Sequence, residues 1–248
     1  MEFWGITDNG KVRKSNQDVF KTHIDEDNGT AIFVVCDGMG GANAGNIAST
    51  LAAETFIDYM IKHVQNFTNQ SDVAQKMTDA VLIANTKVFD KSTQDLEFAG
   101  MGTTLTAAIS TKFGEVVANV GDSRMYHVTD SEVFQITRDH SVVEDMIERG
   151  EISRDEAHVH PNKNLITRAI GTSVHEPPDI FLLNLKPGEY ILLCSDGFSN
   201  LASKNEIFTR LKKGKPVKNS CEAFLDLALS RGAPDNVTVV IYKKQGGL

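Results

Sequence analysis

Two stretches of this chain share one format. Residues 31–36, Ala-Ile-Phe-Val-Val-Cys, are wholly apolar and end in Asp37-Gly38-Met39-Gly40-Gly41. Residues 190–194, Tyr-Ile-Leu-Leu-Cys, end in Ser195-Asp196-Gly197. A run of this kind reads as a buried strand. A carboxylate at the end of such a strand needs a cation, a set of donors or a proton. The glycines let the backbone turn sharply and approach a ligand closely. Asp-Gly is also a common turn dipeptide, and one instance alone would be read as a turn. The repetition, together with Asp18 at a strand start and Asp122 and Asp235 in strand-end loops, points to a metal site.

The chemistry follows from the donor types. Several carboxylates within a few ångströms of one another cannot all stay ionised without cations. An all-oxygen set, with no His or Cys, selects hard ions such as magnesium, manganese or calcium. A glycine after the acid, as at Gly38, leaves its own carbonyl room to act as a further ligand. Two ions about 3.5–4 Å apart, sharing a carboxylate and a hydroxide, are a recurrent device for hydrolysing phosphate esters. Arg13 would then clamp the phosphate, because guanidinium matches phosphate oxygens bidentately. The bland readings are a hairpin-turn Asp122, a turn or N-cap at Asp235-Asn236, and a surface ion pair for Arg13. The acidic loop Asp25-Glu26-Asp27-Asn28-Gly29 is a hairpin turn rather than a calcium loop, because its glycine falls one place early and Cys36 stands where a bidentate Glu is needed.

The bulk numbers narrow the classes. With 248 residues the chain has ample length for a sizeable core. A net charge of -8 argues against a general nucleic-acid or anionic-membrane binder. No apolar stretch approaches a membrane span, and Met1-Glu2-Phe3-Trp4-Gly5 lacks the form of a secretory signal. Three cysteines, two of them inside apolar runs, read as buried thiols. The expectation is a cytoplasmic monomer that binds neither nucleic acid nor membrane.

The elements that would position the acids alternate in groups. Strands are expected over 3–7, 19–24 and up to Asp37. A helix over 44–64 and a second from Ser71, its N-cap, follow, and then a loop over 93–100. Strands return over 103–110, 115–120, 125–129 and 132–137, joined by hairpin-sized turns. Residues 138–178 break the β rhythm with two short helical patterns, one opened by a capping box at Ser153, and read as a small helical flap on the β core. Strands over 180–184 and 190–194, helices to Leu211 (from a capping box at Ser203) and over 217–230, and a strand over 237–243 complete the chain. Hairpin connections imply antiparallel sheets. The fold class is α+β: a four-layer α-β-β-α sandwich of two largely antiparallel sheets flanked by helices, in a single domain over 1–248.

The ordered set is Arg13…Asn16-Gln17-Asp18, Asp37-Gly38-Met39-Gly40-Gly41, Gly102-Thr103-Thr104, Gly121-Asp122-Ser123-Arg124, residues 165–171 (Leu-Ile-Thr-Arg-Ala-Ile-Gly), Ser195-Asp196-Gly197 and Asp235-Asn236-Val237-Thr238. It resembles the metal-dependent protein phosphatases of type 2C, and most of all their compact bacterial serine/threonine members. The resemblance runs over essentially the whole chain, with every motif in order. It implies hydrolysis of phosphoserine and phosphothreonine by a metal-bridged hydroxide, with no phosphoenzyme, opposing a serine/threonine kinase. It implies two manganese or magnesium ions and a weaker third. Asp37 would bridge the first two, and the Gly38 carbonyl would add to the second. Asp196 and Asp235 would complete the first, and Asp18 would support the second largely through water. Asp122 and Asp196 would hold the third, and Arg13 would bind phosphate. Two positions depart from animal members of the family: Met39 stands where some carry a proton-donating histidine, and Gln17 where they have Glu. His140, His158 and His160 are read as serving the flap's own structure. A non-catalytic relative that binds a partner, and a phosphatase dedicated to one regulatory protein, are the alternatives.

Overall fold

Alternation along the strands decides the architecture. In β3 (Thr30–Met39), Ile32, Val34 and Cys36 belong to one hydrophobic layer, while Ala31, Phe33 and Val35 belong to another. In β10 (Tyr190–Cys194), Leu192 and Cys194 face one way and Ile191 and Leu193 the other. A strand buried on both faces reads as an unbroken apolar run, as these two do. Each therefore lies in a sheet covered on both sides. The structure, a computed structural model, describes residues 1–41, 44–212 and 214–246.

One sheet is ordered β1 (Glu2–Asp8), β11 (Val237–Lys243), β10, β7 (Arg124–Val128) and β8 (Val133–Gln135). The other is ordered β2 (Asp18–Asp25), β3, β5 (Leu105–Thr111), β6 (Gly114–Val120) and β9 (Asp179–Leu183), with β4 (Gly102–Thr103) paired to the end of β3. The pairings within both sheets are antiparallel. Between the sheets lie Phe33, Val35, Val117, Met125, Ile191, Leu193, Val240 and Tyr242. Outside the second sheet pack α1 (Ala44–His63) and α2 (Gln70–Gln94); outside the first pack α5 (Asp196–Ser199), α6 (Lys204–Leu211) and α7 (Val217–Ser230). This is the four-layer sandwich expected. The flap carries α3 (Val142–Glu148) and α4 (Arg154–Val159), the latter opened by the Ser153 capping box. Among the described residues no helix is long and apolar enough to cross a membrane.

Three local expectations are corrected. α2 is capped by Asn69, which accepts from Asp72 N, rather than by Ser71. Asn caps as well as Ser, and Gln70 bonds to the carbonyls of Glu115 and Leu183, which fixes the earlier start. The strand expected over 103–110 is split at Thr104, whose hydroxyl takes the Asp37 N–H in place of a ladder carbonyl. Asp196 opens a helical turn rather than a loop.

The seam between the sheets has two different ends. At one, Lys244 Nζ donates to Glu115 Oε1 at 2.6 Å and to Ser110 Oγ at 3.1 Å, joining the two sheets. At the other end converge the C-terminal ends of β3, β6 and β10 and the N-terminal ends of β2 and β11.

Candidate active site

That second end is where the acids stand. The period of two places Asp37 on the same face of β3 as Phe33 and Val35, so it points into the seam. Asp18 is its direct cross-strand neighbour on β2. Asp122 follows β6, Asp196 follows β10, and Asp235 precedes β11. A cleft of about 270 Å³ is lined by Arg13, Gln17, Asp37, Gly38, Met39, Thr104, Asp122, Asn164, Ile166, Asp196, Asp235 and Asn236. Six of the seven expected site residues thus share one wall. The seventh, Asp18, is only 4% exposed and sits behind it.

Asp18 links the sheets: Ser195 Oγ donates to Asp18 Oδ2 at 2.7 Å and accepts from Thr238 N at 3.1 Å. The other carboxylate oxygen, Oδ1, is buried without a partner. Burial, opposed by the Ser195 hydrogen bond and aided by the charges of Asp196 and Asp235, pushes Asp18 up to about 7. Asp37 is driven well above the carboxylate range by burial and by the charges of Asp18, Asp196, Asp122 and Asp235. Burial first, then the Asp196 and Asp139 charges, raise Asp122 to about 8. Asp196 is raised by burial and by the Asp235 charge, with Asp37, Arg124 and Arg13 acting against the shift. Acids so arranged either hold protons or share cations.

Arg13 is half-exposed and donates from Nη2 to Asp235 Oδ2 at 2.7 Å, with Asp37 and Asp196 close enough to strengthen its charge. A guanidinium has five N–H donors in a planar fork, and this ion pair occupies one of its nitrogens. On the flap side, Arg124 forms a bidentate pair with Asp139 (2.6 Å at the shortest). Arg124 and Asp139 line an adjoining cavity of about 370 Å³, which also shares Asp122 and Asp196.

Several positions hold the acids in place. The Asp37 N–H donates to Thr104 Oγ1 at 2.9 Å, which is 2.8 Å from Ser123 Oγ. Asn236 accepts from Gln17 N and donates to the carbonyls of Asn9 and Ser15, tying the Arg13 loop to β11. Gly38 packs so closely on the start of α1 that a Cβ there would run into the Gly45 carbonyl. His140, expected to serve only the flap, reaches out of it: its Nδ1 accepts from Gly121 N at 3.0 Å. The sequence signal for Thr104, Ser123, Ser195 and Asn236 was their place inside ordered motifs, whereas His140 lay outside them; none carried a local signal of these contacts.

The donor set suits a hard cation. It is all oxygen, it holds an orphaned buried Asp18 oxygen, and its carboxylates repel one another. Among the described residues no three His, Cys, Asp or Glu side chains are drawn together as a finished metal shell.

Comparison with known proteins identifies the family. The family model described as Protein phosphatase 2C matches residues 9–235. The serine/threonine phosphatase Stp of Listeria welshimeri is 34% identical over 238 residues, covering 96% of this chain and 94% of that one. The crystal structure of the serine/threonine phosphatase Stp1 from Staphylococcus aureus superposes with a TM-score of 0.90 at 32% identity, covering 99% of this chain and 96% of that one. The catalytic domain of the serine/threonine phosphatase PstP, solved with two manganese ions, gives a TM-score of 0.84 at 31% identity over 98% of both chains. The chain belongs to the protein phosphatase 2C family. Within that family it is a protein-serine/threonine phosphatase of the bacterial type.

Proposed function

We propose that the cleft holds two manganese or magnesium ions and a weaker third, and that the chain uses them to hydrolyse phosphoserine and phosphothreonine in proteins. The observation that carries this reading is the convergence of Arg13, Asp37, Asp122, Asp196 and Asp235 on one cleft with a partnerless Asp18 oxygen behind it. In this reading Asp37 would be a ligand shared by the first two ions, and the Gly38 carbonyl and, largely through water, Asp18 would help to hold the second. Asp196 and Asp235 serve the first, and Asp122 and Asp196 the third. When bound, the ions supply an activated water for in-line attack on phosphorus and neutralise the phosphate oxygens.

The chain's own residues do the rest. Arg13, at the rim, orients the phosphate through its planar donors. Thr104 fixes the Asp37 backbone, so the Asp37 carboxylate is held in place before substrate arrives. Met39 lines the cleft and has no proton to give, so the leaving alkoxide would take its proton from a water or a flap histidine. The cellular opponent in this reading is a serine/threonine kinase, and the enzyme works as a cytoplasmic monomer.

The test is hydrolysis of para-nitrophenyl phosphate and a phosphothreonine peptide after chelation, with manganese or magnesium then restored, beside Asp37→Asn. Activity is expected to return with metal only, and to be absent in the variant. A folded protein inactive with either ion would instead support a non-catalytic binding module.

A further inference from the structure

Gly121, the residue before Asp122, is held from several sides. Its φ of +105° lies in the region that only glycine adopts freely, and Thr104 leaves no room for a Cβ. Its carbonyl accepts from His140 N at 3.0 Å and from Asn119 Nδ2 at 3.2 Å. Its N–H donates to His140 Nδ1 at 3.0 Å. One residue at the root of the flap therefore grips both polar groups of the residue that leads into Asp122.

The ring can do this in one tautomer only. Gly121 N–H is a donor, so Nδ1 must be bare and the proton must sit on Nε2. Nε2 lies 3.0 Å from Asp179 Oδ2, an acceptor that favours this arrangement. Arg168 Nη1 stands 3.0 Å from the same Nε2 and donates to Asp179 Oδ1 at 2.9 Å. Without the Asp179 carboxylate, Arg168 would favour the opposite tautomer, whose Nδ1–H would face the Gly121 N–H. The flap is rooted at the same point. The His140 carbonyl accepts from Thr167 N at 2.8 Å, and Arg168 bonds to Glu176 and to the Pro177 carbonyl.

We infer that His140 is a positioning residue for Asp122, that its bare Nδ1 and its backbone N–H aim this carboxylate into the cleft, and that Asp179 selects the tautomer required. The inference rests on the reading of Asp122 as a cation ligand. Groups that orient a ligand from behind are expected to act on affinity for the ion more than on folding.

The experiment is a manganese titration of the chelated protein, with free Mn2+ read by electron paramagnetic resonance, and Tm measured in parallel. Asp122→Asn marks the binding step that belongs to Asp122. His140→Gln keeps a donor towards Asp179 but loses the acceptor for Gly121, and is expected to weaken that same step about tenfold. His140→Asn places an oxygen where Nδ1 stood and is expected to stay near the wild-type isotherm. Asp179→Asn is expected to weaken the step in the wild-type background but not beside His140→Asn, because an amide has no tautomers.

Wild-type isotherms for His140→Gln and Asp179→Asn, with the step lost in Asp122→Asn, would overturn the inference and leave the reading of Asp122 standing. A lowered Tm with an unmoved isotherm would assign His140 a purely structural role and also overturn it. A wild-type isotherm for Asp122→Asn would remove the underlying reading instead. Asp179 is 39% exposed, so its variant carries the test if His140→Gln fails to fold.

Discussion

Arg13 is the residue on which two partners would converge. Its guanidinium is paired to Asp235, itself an expected cation ligand, while the same wall of the cleft is where a phosphate would sit. Removing a hydrogen-bonding partner of a charged group costs about 1.5–3 kcal/mol. Arg13→Ala is therefore expected to lower kcat/KM by about 10- to 150-fold, and Arg13→Lys to recover only part, since an ammonium lacks the bidentate fork. Steady-state kinetics on a phosphopeptide reads both. The acids behind Arg13 make a second prediction. Asp18 is raised to about 7 and Asp122 to about 8 in the metal-free protein. The unfolded chain releases these protons near the ordinary value of 3.8. Between that pH and the raised values the native state binds more protons than the unfolded one, so stability falls as pH rises. The chelated protein should thus lose Tm progressively from about pH 4 to about pH 8, and manganese should restore most at the upper end. A Tm that stays level across this range in chelator would contradict the raised values.

At the scale of elements, Gly38 joins the site to the fold. It lies where β3 meets the start of α1, and a methyl group there collides with the Gly45 carbonyl, which is backbone and cannot swing aside. Gly38→Ala is expected to cost about 1–3 kcal/mol in urea denaturation, because overpacking forces backbone shifts, and the shift falls beside Asp37, so activity should fall with it. Much of this level was legible beforehand. The runs ending at Asp37 and Cys194 needed no periodicity, because both faces of their strands are covered. α7 and β11 have the bounds their patterns gave, and the capping boxes at Ser153 and Ser203 open α4 and α6. The start of α2 was less legible, because Asn69 and Ser71 are both good caps and a tertiary contact through Gln70 decides between them. The acids could be read because each closes or opens a strand. Ser195, Asn236 and His140 could not, because their partners lie 177, 219 and 19 residues away and are fixed only by packing.

Over the whole molecule, the inter-sheet layer carries the cohesion on which the site depends. Phe33 is fully buried there, 5.2 Å from the ring of Tyr242 and 5.8 Å from that of Phe3, which belong to strands of the opposite sheet. Phe33→Ala is expected to destabilise the fold by about 3–5 kcal/mol, as a large side chain lost from a packed core does, measured by urea unfolding. The seam is fastened at one end by Lys244 and Glu115. At the other end the acids are supplied by both sheets, Asp18 and Asp37 from one and Asp196 and Asp235 from the other. A cation shared among them would therefore be a clasp as well as a catalyst. Loading it would zip the open edge of a book already bound along its spine, and the amides of β2 and β11 would become slower to exchange with solvent as the enzyme became active.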